Sequence, residues 1–187
     1  MLEAFTAMNE FMRKTAYVNC WRSGVAESMA MWDLYGKGSG IVAIKTTIGL
    51  LKSALSASDI QVFIGEVKYV DWGTAPWHNN HLVMCARKDT SYSHESEVRV
   101  IVWEASCNVK SDFFQRTFPD REPVDKRTRN DPPYGVRIPV NLSTMVTEIV
   151  VGPREKPWIL PLIQDVLRKY DFSFPIRASD RLTPRQS

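Results

Sequence analysis

Apolar positions recur along this chain with two periods, one helical and one extended. Leu2, Phe5, Met8, Asn9 and Met12 repeat at helical spacing and predict a helix over Met1 to Lys14. Thr15 to Trp21 is rich in β-branched and aromatic residues and predicts a strand. Ser28, Met31, Trp32 and Tyr35 follow i, i+3, i+4, i+7. They predict a second helix over Glu27 to Tyr35, stopped by Gly36 and Gly38. Gly40 to Lys45 reads as a strand. Thr46 or Thr47 then caps a helix that turns Ile48, Leu51 and Leu55 inward. Ile60 to Val70 reads as one long strand bent at Gly65, and Pro76 to Lys88 as a helix with proline in its first turn.

The run from Ser91 to Trp103 carries the most information. A polar turn feeds a strand in which residues two apart share a face. Val98, Val100 and Val102 are expected in the core. Glu95, Glu97 and Arg99 share the other side, with Ile101 and Trp103 beyond them. Two carboxylates and a guanidinium at the mouth of a buried strand are costly unless they pair, bind a ligand or face water. A polar stretch follows, roughly residues 108–133, broken by Pro119, Pro123, Pro132 and Pro133. It is expected to be a mobile insertion loop. Strands are predicted over Gly135 to Val140 and Glu148 to Val151. A helix follows whose stripe, Ile159, Leu162, Ile163, Val166, Leu167 and Tyr170, is expected against the sheet. A short strand near Phe174 to Arg177 precedes the tail. The pattern predicts an α+β fold: a single domain over residues 1–187, with a mixed, mostly antiparallel sheet and packed helices.

Composition narrows the classes. At 187 residues, with 44% hydrophobic and 24% charged residues, the chain is of ordinary globular make-up. Its net charge of +3, with basic and acidic residues interleaved, gives no indication of nucleic acid. No apolar run approaches the ~20 residues of a membrane span, and the start has neither the basic region nor the apolar run of a signal peptide. Three cysteines, Cys20, Cys85 and Cys107, show no paired spacing, so the cytosol is the expected compartment.

The order of these pieces resembles a bacterial family, domain of unknown function 2971. The resemblance rests on Cys20-Trp21, Glu27-Ser28, Met31-Trp32-Asp33-Leu34-Tyr35, Gly40-Ile41-Val42-Ala43-Ile44 and Val67-Lys68-Tyr69-Val70-Asp71. It continues through Lys88, the Glu95-x-Glu97-x-Arg99 strand, Val150-Val151-Gly152-Pro153 and Trp158. It covers nearly all of the chain from Tyr17 onward. The family has no established activity, so the resemblance implies kinship of fold rather than a function. Members usually begin with a further segment, which is expected to be absent here, so that the chain is expected to be a short member or a fragment. The resemblance also implies that Trp32, Tyr35, Lys88, Glu97 and Arg99 come together.

Several constellations invite chemistry. Glu95-Ser96-Glu97 is similar in form to the paired-glutamate signature of ADP-ribosyltransferases. In that reading Glu97 offsets positive charge on a nicotinamide ribose and Glu95 acts as a base, with NAD as cofactor. The competing reading makes Glu97 and Arg99 partners of cross-strand charges that set register. His78, His81 and Cys85 align on one face if their segment is helical, but zinc needs a fourth ligand, so no metal is assigned. Trp21, Trp32, Tyr35, Trp72, Trp77 and Trp103 read as core aromatics before they read as a stacking platform. Gly36-Lys37-Gly38-Ser39-Gly40 precedes a strand, whereas a phosphate loop follows one, so it reads as a helix stop. Cys20 and Cys107 read as small apolar fillers.

Two functional readings stay open. The lead is a ligand-binding or interaction module for an unknown small molecule or protein. The alternative is a nucleotide-directed transferase with Glu97 and Glu95 catalytic, acting in bacterial conflict with phages or competitors. In either, Trp32, Tyr35, Lys88 and Arg99 are the expected ligand-binding residues. Whether the chain is an enzyme is left open.

Overall fold

The computed structural model describes residues 16–76, 78, 80–103 and 135–180. The helix expected over Met1 to Lys14, the insertion expected over 108–133, Trp77 and Cys107 lie outside the described residues. The fold is α+β, as the pattern predicts, and its strands are mostly antiparallel and distributed over three sheets. The chain divides into two compact units, residues 1–23 with 58–138, and residues 24–57 with 139–187.

In the first unit the central strand is β6 (Glu97–Trp103). It is flanked on both sides by antiparallel neighbours, β1 (Ala16–Arg22) and β3 (Phe63–Glu66). Val98, Val100 and Val102 are buried on one face, as their alternation predicts. The other face is enclosed too. The short helix α3 (His81–Cys85) meets it: Arg99 donates to the Cys85 carbonyl at the helix end, and the His81 ring lies 5.5 Å from that of Trp103.

Two expectations for this unit change. The strand expected over Ile60 to Val70 divides at Val67 rather than bending at Gly65. Phe63–Glu66 pairs with β6, whereas β4 (Lys68–Val70) leaves to pair in parallel with β5 (Arg87–Asp89). Val67 marks the switch, its N–H donating to the Glu97 carbonyl at 2.9 Å. The helix expected over Pro76 to Lys88 contracts to five residues for the same reason. Asn80 caps its start by accepting from the Leu82 and Val83 N–H groups, and the pairing of β5 ends it. Lys88 therefore stands on a strand, and His78 precedes the helix, so His78, His81 and Cys85 do not share one helix face.

In the second unit the order is β2 (Val42–Lys45), β7 (Glu148–Val151), β8 (Ile176–Ala178). The first pair is antiparallel and the second parallel. Helix α1 (Met29–Tyr35) starts two residues later than expected because Ser28 caps it, its hydroxyl accepting from the Met31 N–H. Gly36 stops it: a Cβ there would sit 2.5 Å from the Trp32 carbonyl oxygen. Thr47, rather than Thr46, caps α2 (Ile48–Leu55). Leu51 and Leu55 are buried as expected. Ile48 is exposed, and Ala54 takes a core position instead. No strand forms over residues 135–140, where Pro139 has no N–H to offer a ladder. The next helix, α4, is short (Leu142–Met145).

The junction of β2 and β7 is held by one carboxylate. Glu155 accepts from the N–H groups of Gly40 and Ile41, both at 2.9 Å, and the Gly152 N–H donates to the Ile41 carbonyl. A Cβ at Gly152 would press on that carbonyl at 3.2 Å, which accounts for glycine in the Val150-Val151-Gly152-Pro153 run. The last helix is α5 (Ile159–Lys169), with Tyr170 as its C-cap. Its stripe is only partly inward. Ile159 is 2% exposed, whereas Leu162 and Val166 are 45% and 43% exposed, so the expectation of a wholly buried stripe does not hold. Among the described residues no helix is long and apolar enough to cross a membrane.

These burials separate two substitutions of similar chemistry on α5. Ile159→Ala should destabilise the protein by roughly 2–5 kcal/mol in urea unfolding, through lost transfer energy and a cavity. Leu162→Ala, on the exposed side, should cost less than about 1 kcal/mol. Equal losses for the two would contradict the burial of this helix.

Candidate functional site

The face of β6 under α3 gathers four charged side chains in the first unit. Glu97 is 6% exposed, and Arg99, two residues on, turns back over it. The Arg99 Nε donates to Glu97 Oε1 at 2.7 Å and its Nη2 to Oε2 at 3.1 Å, a bidentate pair. Its Nη1 donates to the Cys85 carbonyl. Lys88, from β5, donates to Glu97 Oε2 at 3.3 Å and to Glu95, which is also buried.

Local structure explains how both carboxylates reach one ammonium. Residues Thr90–Glu95 form a 3-10 helix capped by Asp89, whose carboxylate accepts from the Ser91 N–H. Ser96 then adopts a left-handed conformation (φ 46°), and β6 begins. The turn is anchored by a bond from the Ser23 N–H to the Ser96 carbonyl at 2.7 Å. Tyr69 supports the start of β6, its hydroxyl accepting from the Glu97 N–H at 2.8 Å. The Lys88 ammonium also lies 4.7 Å from the centre of the Tyr92 ring.

Electrostatics follow from this geometry. Burial pushes the Glu97 carboxyl upward, but the Arg99 bonds, the Cys20 thiol and the charges of Arg99 and Lys88 outweigh it and hold the pKa at about 2. Burial works against charge on Lys88 and Arg99 as well, and their carboxylate partners raise both above their ordinary values. Cys20, opposite Arg99 on β1, is raised by burial and by the hydrogen bond and charge of Glu97. Cys20 is exposed, rather than the buried apolar filler the sequence suggests. Glu97 is thus an ionised carboxylate whose oxygens are already bonded and whose charge is offset by two cations. Such a group is a poor proton acceptor near neutral pH.

Of the expected site residues, Lys88, Glu95, Glu97 and Arg99 meet in this network. Trp32 and Tyr35 belong to the second unit. There the Trp32 indole donates to Glu27 at 3.2 Å, and Tyr35 is 65% exposed. Glu27 also receives Ser179 and, at 2.8 Å, Arg177. Arg177 reaches Glu148 at 3.2 Å, and Glu148 reaches Lys45 at 2.6 Å. Burial opposes ionisation of Glu27, yet the bonds from Ser179, Arg177 and Trp32 hold its carboxyl below the usual range.

Sequence reasoning missed Cys20, Tyr69 and Arg87. The first two enter through strand register, which no local signal encodes. Arg87 heads β5 and is buried, and its Nε, like the indole nitrogen of Trp103, is a buried donor without an acceptor among the described residues. Also among the described residues, no three His, Cys, Asp or Glu side chains gather as metal ligands. His78 accepts the Asn80 N–H at 3.0 Å.

The depressed pKa of Glu97 fixes the sign of a pH effect. Its contribution to stability is complete above the ordinary carboxyl value of 4.5 and is lost as pH falls toward the folded value of about 2. The amount is of order 2 kcal/mol after allowance for solvent screening. Urea unfolding of wild type and Glu97→Gln between about pH 3 and pH 6 should show the gap between them narrowing with acid. Parallel curves would contradict the pairing.

The chain matches no family model, no curated protein and no solved structure among known proteins.

Proposed function

We propose that this protein is a binding or interaction module in which the Lys88–Glu95–Glu97–Arg99 network is a rigid frame rather than a set of catalysts. The observation that carries this reading is the bidentate closure of Glu97 by Arg99. A transferase acting through Glu97 needs that carboxylate open toward the ribose, with its charge available as positive charge develops on the sugar. Here both oxygens are bonded and two cations already balance the charge. The paired-glutamate spacing is better accounted for by Lys88, which takes both carboxylates at once. Kinship with the bacterial family of unknown function named above is part of this proposal, as is a cytosolic location. The free thiols of Cys20 and Cys85 accord with that location.

Thermal melts of wild type and Glu97→Gln, with and without NAD, test the reading. The module predicts no NAD shift in wild type. It also predicts a loss of several kcal/mol in Glu97→Gln, because the substitution strands buried cations. A transferase site predicts the reverse. NAD at a hundredfold over its dissociation constant would add about 2.7 kcal/mol to wild type, and Glu97→Gln would remove that gain while keeping the fold stable. That second pattern would overturn the proposal.

A further inference from the structure

The buried and half-buried cations of the first unit are not all balanced. Lys88 and Arg99 are held by Glu95 and Glu97. Arg87, adjacent to Lys88 on β5, is 9% exposed, yet among the described residues no carboxylate pairs with it. Its Nη1 donates to the Pro76 carbonyl at 2.7 Å, and its Nε is buried with no acceptor. A neutral carbonyl satisfies one donor but leaves the charge uncompensated. Buried charges are rarely stable without a counter-charge, and buried guanidinium groups are among the most demanding because five N–H donors must be placed. One bond to Pro76 leaves the edge formed by Nε and Nη2 unused among the described residues. That edge is the planar fork that takes two oxygens of one oxyanion side by side.

We propose that Arg87 is the binding residue for a small oxyanion, phosphate or carboxylate in class, gripped by its Nε–Nη2 edge. This deepens the reading of the protein as a binding module and rests on it. Attachment of Nη1 to Pro76 orients the guanidinium plane before the ligand arrives, so little freedom is lost on binding. The positions of Lys88 and Arg99 are already fixed by their own carboxylates. The balance of charge therefore leaves Arg87 as the group that gains from an incoming anion.

The test is a titration of the full chain with inorganic phosphate and, separately, with acetate, at constant ionic strength with chloride as the balancing ion. Arginine Nε–H resonances in ¹⁵N-labelled protein are the readout. The Arg87 resonance is identified by its absence from the Arg87→Lys spectrum. The expected result is a saturable movement of that resonance while the other arginine resonances stay in place. Movement with phosphate alone assigns a phosphate-class ligand, and movement with both anions assigns the wider oxyanion class. Arg87→Lys keeps the charge but loses the fork, and should weaken the anion-dependent rise in melting temperature about tenfold in apparent affinity. No movement with either anion, a drift shared by all arginines, or an undiminished response in Arg87→Lys would overturn the proposal. The two proposals fail separately. A silent titration leaves the module reading intact, whereas a Glu97-dependent NAD shift removes that reading whatever the titration shows.

Discussion

The first unit depends on one buried ion pair, Glu97 with Arg99. Both groups sit on the central strand, two residues apart, on the face that α3 covers. Neither tolerates that position alone. An uncompensated buried charge costs about 3–5 kcal/mol, although an intact pair adds little over a well-packed apolar substitute. What the pair contributes is geometry. Arg99 ties β6 to the end of α3 through the Cys85 carbonyl, and Glu97 draws Lys88 and β5 toward the same point. The Tyr69 hydroxyl from β4 meets the same residue, so β4 and β5 both converge on the glutamate of β6.

Charge pairing organises the second unit by a similar logic nearer the surface. Lys45, Glu148 and Arg177 come from the three neighbouring strands and form a continuous chain of opposite charges that ends on Glu27, before α1. These groups are more exposed than Glu97, so solvent screens them and each pair adds little energy. Their effect is to fix which strand lies beside which. The Glu155 carboxylate does this more strictly, since it bonds two consecutive backbone N–H groups that a strand edge would otherwise leave to water.

The first unit holds both a neutralised carboxylate and an unbalanced guanidinium, and the contrast bears on function. Glu97 was the residue most suggestive of catalysis, and it is the one most fully committed to its neighbours. Arg87 carries no local signal in the sequence, and among the described residues it is the buried cation whose bonding is incomplete. In a folded chain the polar atom lacking a partner is more informative about an incoming ligand than the polar atom that has several.

Much of the framework could be read from the chain before its structure was known. The alternation of Val98, Val100 and Val102, the Ala16–Arg22 strand, the Gly36 stop and the helix from Ile159 all appear where local pattern puts them. These follow from period, capping and backbone freedom, which are properties of neighbours along the sequence. The pattern also put Glu95, Glu97 and Arg99 on one side of a strand, and only the resemblance added Lys88 to them. It could not say that Lys88 leaves a helix for a strand, because that depends on pairing with Lys68–Val70, a segment distant in sequence. Nor could it say that Cys20 faces Arg99, since register is a property of two strands and each strand carries only its own alternation. Exposure of Leu162 and Val166 was hidden for the same reason. An amphipathic stripe states which face of a helix is apolar, and only the elements packed around the helix decide how much of that face is covered.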